Sequence, residues 1–131
     1  EATVPKITIT LRKSYGGSHI VMGCKQLRSD LNFAWPSSEI AVMGASGAVA
    51  VLYGKEVKQV KENGGDVKQF IAEKEEEYTE KFANPYQAAQ YGYLDDVIEP
   101  RNTRFRICRG LAQLANKKQD LPAKKHGCMP M

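Results

Sequence analysis

The stretch that most constrains the fold is a short alternating run followed by two adjacent glycines. Apolar and polar residues alternate over residues 7–11 (ITITL), which is the period of a half-buried strand. Gly16 and Gly17 follow, where the missing Cβ atoms allow a sharp turn, and residues 20–22 (IVM) then open a helical pattern. Because the first amides of a helix have no partner within it, such a turn can hold an anion or a developing oxyanion. Most glycine pairs are ordinary turns, so both interpretations stay open here.

The composition restricts the class of protein. The 131 residues are 42% hydrophobic and 26% charged, the balance of one ordinary globular domain. No apolar run approaches the about 20 residues that a membrane-spanning helix needs, and no basic-then-apolar leader precedes the first strand. We therefore expect a cytoplasmic location without direct membrane insertion. The start without Met, leading almost directly into a strand, indicates a piece of a longer chain.

Cysteine and histidine usage argues against a metal centre. The three cysteines (Cys24, Cys108 and Cys128) have wide, irregular spacing, so reduced thiols are favoured over a disulfide framework or a zinc site. The two histidines, His19 and His126, lie far apart in the sequence and have no acidic partner pattern nearby. We expect no metal.

The net charge of +4 is unevenly distributed. Residues 73–80 carry five glutamates, whereas residues 101–125 carry eight basic residues and one acid, Asp120. A basic segment can contact phosphates. With Phe105 as its one aromatic residue, however, it lacks the interleaved stacking platform of a single-strand binder. A solvated helix face is the favoured interpretation, without a nucleic-acid partner.

The hydrophobic pattern predicts a mixed α/β order. Strands are predicted at residues 4–11, 31–35, 40–43 and 93–98, and helices at residues 18–27, 48–53, 55–61, 66–82, 86–91 and 103–116. The turn out of the first strand is placed at Ser14 or Tyr15. Short apolar strands alternating with helices predict a layered sheet wrapped by helices.

Several helix boundaries and faces can be predicted in more detail. Asp66 and Asn84-Pro85 carry the residue types that begin helices, and Asn102 or Thr103 is predicted to cap the last one. The residues expected to face a core are Ile20, Met22 or Gly23, Cys24 and Leu27 in the first helix, and Ile107, Leu111 and Leu114 in the last. The apolar stripe of residues 66–82 is expected to pack partly against something outside the chain.

Adjacent carboxylates do not predict an acid/base pair. Asp95 and Asp96 are neighbours in a predicted strand, and successive side chains of a strand point to opposite faces. The glutamates of residues 73–77 can pair with Lys74 and Lys81 on the helix surface, which is typical of a solvated face. Neither group is predicted to be catalytic.

Several motifs together resemble the C-terminal domain of biotin-dependent carboxyltransferases. They are residues 15–18 (YGGS), 33–44 (FAWPSSEIAVMG), 47–49 (GAV), 77–78 (EY), 82–86 (FANPY), 92–98 (GYLDDVI) and 122–127 (PAKKHG). The resemblance covers essentially the whole chain, with the motifs in the family's order. The family includes propionyl-CoA and methylcrotonyl-CoA carboxylase β subunits, the transcarboxylase large subunit, and methylmalonyl-CoA and glutaconyl-CoA decarboxylase α subunits.

This resemblance implies a crotonase-like α/β fold made of ββα spiral turns. Residues 1–131 would be the second half of the C-terminal carboxyltransferase domain, with the N-terminal domain absent. In the family, acyl-CoA lies mainly on the N-terminal domain of one protomer, and biotin lies against the C-terminal domain of another. A homo-oligomer built from dimers is therefore implied, with a hexamer expected.

The resemblance also implies a role for the glycine turn. The family holds the ureido oxygen of biotin with two backbone amides, which correspond here to Gly17 and Ser18, as an oxyanion hole that needs no side-chain base. The neighbouring residues implied to bind substrate are Tyr15, Gly16, His19 and Ile20. Many relatives carry an aromatic residue at the position of His19, so a packing or hydrogen-bonding role is favoured there over proton transfer. The apolar Ile20 fits a small apolar acyl group.

The implied activity is carboxyl transfer between biotin on a carrier protein and the α-carbon of a short acyl-CoA such as propionyl-CoA. The sequence contains neither a Met-Lys-Met tripeptide for biotinylation nor a glycine-rich ATP site. The implied partners are therefore a biotin carboxyl carrier and a biotin carboxylase or decarboxylase subunit. Two alternatives stay open: a methylmalonyl-CoA or glutaconyl-CoA decarboxylase α subunit running the reverse transfer, and a non-catalytic interaction fragment. The chain alone is expected to be inactive.

Overall fold

The computed structural model describes residues 3–120. Its strands are β1 (Ile7–Thr10), β2 (Lys13–Tyr15), β3 (Leu31–Ala34), β4 (Glu39–Ala41) and β5 (Asp96–Val97). Its α-helices are α1 (Gly16–Val21), α2 (Ala45–Leu52), α3 (Gly54–Glu62), α4 (Val67–Phe82), α5 (Pro85–Gln90) and α6 (Thr103–Gln113). Single 3-10 turns cover Lys25–Leu27 and Pro100–Asn102.

The strands form two small sheets in which every pairing is parallel. One sheet has the order β1-β3-β5, and the other pairs β2 with β4. The first strand of each unit enters one sheet and the second strand enters the other, after which a helix follows: β1-β2-α1, then β3-β4-α2. This repeat confirms the expected ββα spiral, although no repeat is visible in the sequence.

Lys13–Tyr15 is a strand, so the predicted turn at Ser14 or Tyr15 is wrong. The segment has no apolar alternation, and its extended conformation comes from pairing with β4, in which Tyr15 faces Ala41. Such a pairing between segments distant in the sequence is not encoded in local periodicity. The chain therefore passes directly from β2 into α1.

The first helix is shorter than predicted and begins earlier. α1 ends at Val21, because Gly23 (φ +101°) adopts a left-handed conformation that a continuous helix cannot contain. The inward orientation expected for this segment is correct for Cys24, which is 2% exposed. It is wrong for the larger residues, whose exposures are 49% for Ile20, 75% for Met22 and 55% for Leu27.

Two later helices begin as predicted. The Asp66 carboxylate accepts hydrogen bonds from the first-turn amides of α4 at 2.9 and 3.2 Å. The Asn84 side chain accepts from the Gln87 amide at 3.0 Å, with Pro85 at the first helical position. Asn102 occupies the N-cap position of α6, as predicted, but its side chain makes no capping hydrogen bond.

A small apolar core lies between α5 and the strands. Its buried members are Ala34, Ile40, Ala88 and Leu94, with Ala89 and Val97 packed against them. On the other side of β1 and β3, α6 approaches through Gly110, where a Cβ would lie 2.7 Å from Leu31 Cδ1. Leu111, predicted to face inward, is 47% exposed.

The adjacent carboxylates do not converge, as predicted. Asp95 accepts from Lys25 Nζ at 2.7 Å and from the Asn32 amide at 2.8 Å. Asp96 instead pairs with Arg106 of α6. Both therefore belong to contacts that tie β5 and its neighbours together.

Part of the sequence-based interpretation concerns residues that the structure does not describe. The predicted irregular tail at residues 120–131 lies outside them except for Asp120, and so do His126, Cys128 and the motif at residues 122–127. Within residues 3–120, no helix combines the length and apolar character needed to cross a membrane.

Candidate functional site

The two glycines form the first turn of α1, immediately after β2. Gly16 has φ +49°, and a Cβ there would lie 2.7 Å from the carbonyl oxygen of Val42, just after β4. Gly17 has no heavy atom within 4 Å of the place its Cβ would occupy. Gly16 therefore lets the turn pack closely against the end of β4, while Gly17 leaves the turn open to an approaching ligand.

The amides of this turn are free to donate. Tyr15 is the N-cap residue and its side chain caps no amide, while Ser18 Oγ donates to the Tyr15 carbonyl oxygen at 2.7 Å. The first amides of a helix, here including those of Gly17 and Ser18, have no acceptor within the helix. Because Gly17 and Ser18 are also exposed, their N–H groups can donate to a single anionic oxygen.

Tyr15 anchors the strand-to-helix junction. Its hydroxyl donates to the Glu39 carboxylate, and its ring lies 3.4 Å from the place that a Cβ of Gly44 would occupy. Burial, followed by the hydrogen bond and the negative charge of Glu39, raises the pKa of Tyr15 to about 12. The phenol is therefore a protonated donor at neutral pH.

His19 lies one turn further along, joined to β2 by a hydrogen bond. Its Nδ1 is 3.0 Å from Ser14 Oγ. Burial lowers the pKa of His19 below its usual 6.5, so the imidazole is neutral at neutral pH. A neutral ring has one nitrogen that donates and one that accepts, and it brings no charge to the site.

A pocket of about 620 Å³ opens beside the glycine turn. Its lining is mostly apolar, and its volume is that of a small-molecule site. The lining residues are Gly16, His19, Ile20, Gln26, Ile40, Ala41, Val42, Leu52, Tyr78, Phe82, Gln87, Ala88, Tyr91 and Tyr93. We call this space the aromatic pocket, after Tyr78, Phe82, Tyr91 and Tyr93.

A second, more polar cleft of about 470 Å³ runs along β1 and β2 on the other side of the turn. Ser18 and His19 line it together with Arg12 and Lys13. His19 therefore borders both spaces. Within residues 3–120, no three His, Cys, Asp or Glu side chains cluster in a way that could hold a metal ion.

The six residues singled out from the sequence occupy different places around the turn. Gly16, His19 and Ile20 line the aromatic pocket, and Ser18 and His19 line the polar cleft. Gly17 is exposed at the turn itself. The side chain of Tyr15 lines neither space and contacts Glu39 instead.

Sequence reasoning missed the aromatic wall of the pocket. Tyr78 and Phe82, one helical turn apart in α4, were interpretable only as part of an inward-facing stripe. Their ring centroids lie 5.4 Å apart, and those of Tyr91 and Tyr93 lie 5.9 Å apart. The available signal was the concentration of aromatic residues after residue 77, which periodicity alone cannot assign to a site.

Comparison with known proteins assigns the chain to a family. The carboxyl transferase domain family matches residues 1–129. The propionyl-CoA carboxylase beta chain of Saccharopolyspora erythraea is 49% identical over 131 residues, which are 100% of this chain and 24% of that protein. The methylmalonyl-CoA decarboxylase subunit alpha of Propionigenium modestum is 50% identical, over 100% of this chain and 25% of that protein.

A solved structure supports the same family. Transcarboxylase 12S, described as a hexamer assembly with methylmalonyl-coenzyme A and methylmalonic acid bound, superposes with a TM-score of 0.86 at 51% identity. The match covers 99% of this chain and 24% of that one, so the chain spans about a quarter of the length of these relatives. The fold is accordingly the crotonase-like α/β fold, in part. Since the match extends over nearly every residue, the chain belongs to the carboxyl transferase domain family.

Proposed function

We propose that this chain contributes the biotin-facing side of a carboxyltransferase site. The complete subunit would move a carboxyl group between biotin on a carrier protein and the α-carbon of a short acyl-CoA such as propionyl-CoA. The observation that carries this proposal is an uncapped glycine turn with exposed amides, which lies between an apolar pocket lined by Gly16 and a polar cleft lined by Ser18, in a chain of the carboxyl transferase family. The names of the relatives, propionyl-CoA carboxylase among them, support the substrate class.

The residues present fit biotin. Its ureido oxygen needs hydrogen-bond donors, which the Gly17 and Ser18 amides can supply because no side chain caps them. Its uncharged ring needs an apolar surface, which the aromatic pocket beside the turn offers. When bound, biotin would supply the transferable carboxyl group and, after its departure, a basic ureido nitrogen.

The contribution of this chain is electrostatic and steric. Two amides aimed at the ureido oxygen stabilise negative charge there, and losing one such donor typically costs about 3 kcal/mol of barrier. Gly17, without a Cβ, lets the oxygen approach the backbone. The neutral His19 and the apolar Ile20 keep charge away from the same region, which favours a small apolar acyl group.

Other components of the reaction belong to partners in this proposal. Residues 1–131 act as the second half of a C-terminal carboxyltransferase domain, and acyl-CoA is held by an N-terminal domain of another protomer. The subunit is a cytoplasmic homo-oligomer built from dimers, and we expect a hexamer, which is the assembly described for transcarboxylase 12S. It works with a biotin carboxyl carrier and a biotin carboxylase subunit. The chain alone is inactive, and measurable turnover by it alone contradicts this division of the site.

A second candidate is the same transfer in reverse, in a decarboxylase α subunit. The 50% identity to methylmalonyl-CoA decarboxylase subunit alpha favours it as strongly as the carboxylase relatives favour the first. Both use the same half-reaction, so the partner subunits decide the direction. A biotin carboxylase encoded next to this chain indicates a carboxylase, and a membrane sodium-pump subunit indicates a decarboxylase.

The oxyanion-hole assignment is tested by removing one backbone N–H donor. In a full-length subunit made by exchanging this chain for the matching quarter of transcarboxylase 12S, Gly17→Pro removes the Gly17 N–H within the first helical turn, where proline is tolerated. We expect carboxyl transfer from free carboxybiotin to fall about 100-fold.

The matched control is Gly17→Ala, which keeps the amide and adds a Cβ that meets nothing within 4 Å. Its transfer rate should fall less than that of the proline variant, because the alanine variant keeps the Gly17 N–H donor. Equal rates for the proline and alanine variants, with equal melting temperatures, contradict the oxyanion-hole assignment.

A further inference from the structure

We propose that Glu39 and Tyr15 are positioning residues, which hold the N-terminus of α1 in place through one carboxylate–phenol hydrogen bond. Neither residue needs to touch a ligand to do this. The inference rests on the proposed function, because it assigns these two side chains the task of aiming the Gly17 and Ser18 amides. It also changes the role expected for Tyr15, from binding substrate to supporting the turn that does so.

The short helix α1 needs such support, because its own packing does little to fix it. It has six residues and no buried ones, and Ile20 and Val21 are 49% and 80% exposed. β2, which precedes it, has three residues and, within residues 3–120, pairs with β4 alone. Contacts from β4 to the junction between β2 and α1 therefore decide where the first amides point.

Tyr15 stands at this junction, as the last residue of β2 and the N-cap residue of α1. Its hydroxyl reaches Glu39, the first residue of β4, and its ring covers Gly44, the N-cap residue of α2. The backbone carbonyl of Tyr15 accepts from Ser18 Oγ at 2.7 Å. One residue therefore links the start of β4, the start of α2 and the turn that carries the amides.

The protonation state of Tyr15 favours this hydrogen bond. The phenol stays protonated at neutral pH, since the pKa of Tyr15 is raised to about 12, and a hydrogen bond from a neutral donor to an ionised carboxylate is among the stronger kinds. Lys13 Nζ lies 4.0 Å from the same carboxylate with its side chain 52% exposed. An ion pair at that distance and exposure contributes little, so the phenol is the partner that matters.

The first measurement is of activity, in the full-length exchanged subunit. Tyr15→Phe and Glu39→Ala should each lower kcat about tenfold, the effect of one hydrogen bond to a charged group, and leave KM for acyl-CoA unchanged. The double variant should be no slower than either single variant, because both remove the same contact. Glu39→Gln keeps an oxygen acceptor and should recover most of the rate. Lys13→Met, the matched control at the same carboxylate, should match the parent.

The second measurement does not depend on activity. In the 131-residue chain, Tyr15→Phe should lower the ¹⁵N order parameters of Gly17 and Ser18 below the about 0.85 of rigid backbone, while those of α4 stay unchanged. Unchanged order parameters at Gly17 and Ser18 overturn the inference, as do additive rate losses in the double variant. If Gly17→Pro leaves transfer unaffected, the proposed function fails, and the order parameters still decide whether Tyr15 and Glu39 position the turn.

Discussion

The two adjacent glycines should respond in opposite directions to the same substitution. Gly16→Ala and Gly17→Ala each add one methyl group to the first turn of α1, one residue apart. At Gly16 the backbone is left-handed (φ +49°), and the added Cβ would lie 2.7 Å from the Val42 carbonyl oxygen. At Gly17 neither obstacle exists.

The magnitudes follow from these geometries. A left-handed conformation costs an L-residue about 1–2 kcal/mol, and the contact with a backbone oxygen, which cannot move away by a rotamer change, adds to that cost. We therefore expect Gly16→Ala to lower the free energy of unfolding by at least about 2 kcal/mol. Gly17→Ala should instead raise it by about 0.4–1 kcal/mol, because alanine has less conformational freedom in the unfolded chain.

Urea unfolding followed by circular dichroism at 222 nm measures both variants against the parent chain. Equal m-values are required, so that the change in midpoint reports a change in stability. If Gly16→Ala is as stable as the parent, or if Gly17→Ala is the more damaging variant, then the turn does not lie against β4 as described. The assignment of Gly17 as the open position would then be wrong as well.

Three further predictions concern the supports around the site. Asp66→Ala removes the cap of α4 and should cost about 1 kcal/mol of unfolding free energy; no change in urea unfolding would mean that the two capping bonds contribute nothing. Asp30 accepts from Lys117 Nζ and from the Lys6 amide, both at 2.7 Å, so Asp30→Asn should cost about 2 kcal/mol. The Lys117 hydrogen bond holds the pKa of Asp30 below 3.8, so the ionised Asp30 stabilises the fold above pH 3.8 and this stabilisation is lost as the pH falls further. If the free energy of unfolding of the parent and of the Asn variant depends on acidic pH in the same way, this prediction is wrong. Burial lowers the pKa of His19 below 6.5, so just below pH 6.5 the unfolded chain binds more protons than the folded chain, and stability falls as the pH decreases through that value. His19→Gln should reduce this dependence of the free energy of unfolding on pH. An unchanged dependence would mean that the His19 ring is solvated in the folded chain.

The sequence predicts well those elements whose signals are local. The Asp66 and Asn84 side chains accept hydrogen bonds from first-turn amides, and Pro85 has no N–H that needs a partner. The alternation of residues 7–11 corresponds to β1. The family resemblance supplied the spiral fold, which no repeat in the sequence reveals. The helix starts and the strand could be predicted because the signal for each lies within one short segment of the sequence.

Non-local contacts account for what the sequence could not supply. Lys13–Tyr15 becomes a strand only through β4, and the phenol of Tyr15 finds Glu39, 24 residues away. Apolar spacing identifies which face of a helix is apolar but not whether another element covers it, and so Ile20 and Leu111 are exposed at 49% and 47%. The aromatic pocket is likewise assembled from α4, the residues after α5, and α1, whose rings and side chains meet only in the fold.

We propose that the Gly17 and Ser18 amides hold the ureido oxygen of biotin. The most direct test is a crystal structure of the full-length exchanged subunit with a biotinylated carrier domain bound. We expect the ureido oxygen to lie about 2.7–3.2 Å from both amide nitrogens, with the biotin ring against the aromatic pocket. A ureido oxygen that contacts neither amide, in a complex active for carboxyl transfer, contradicts it.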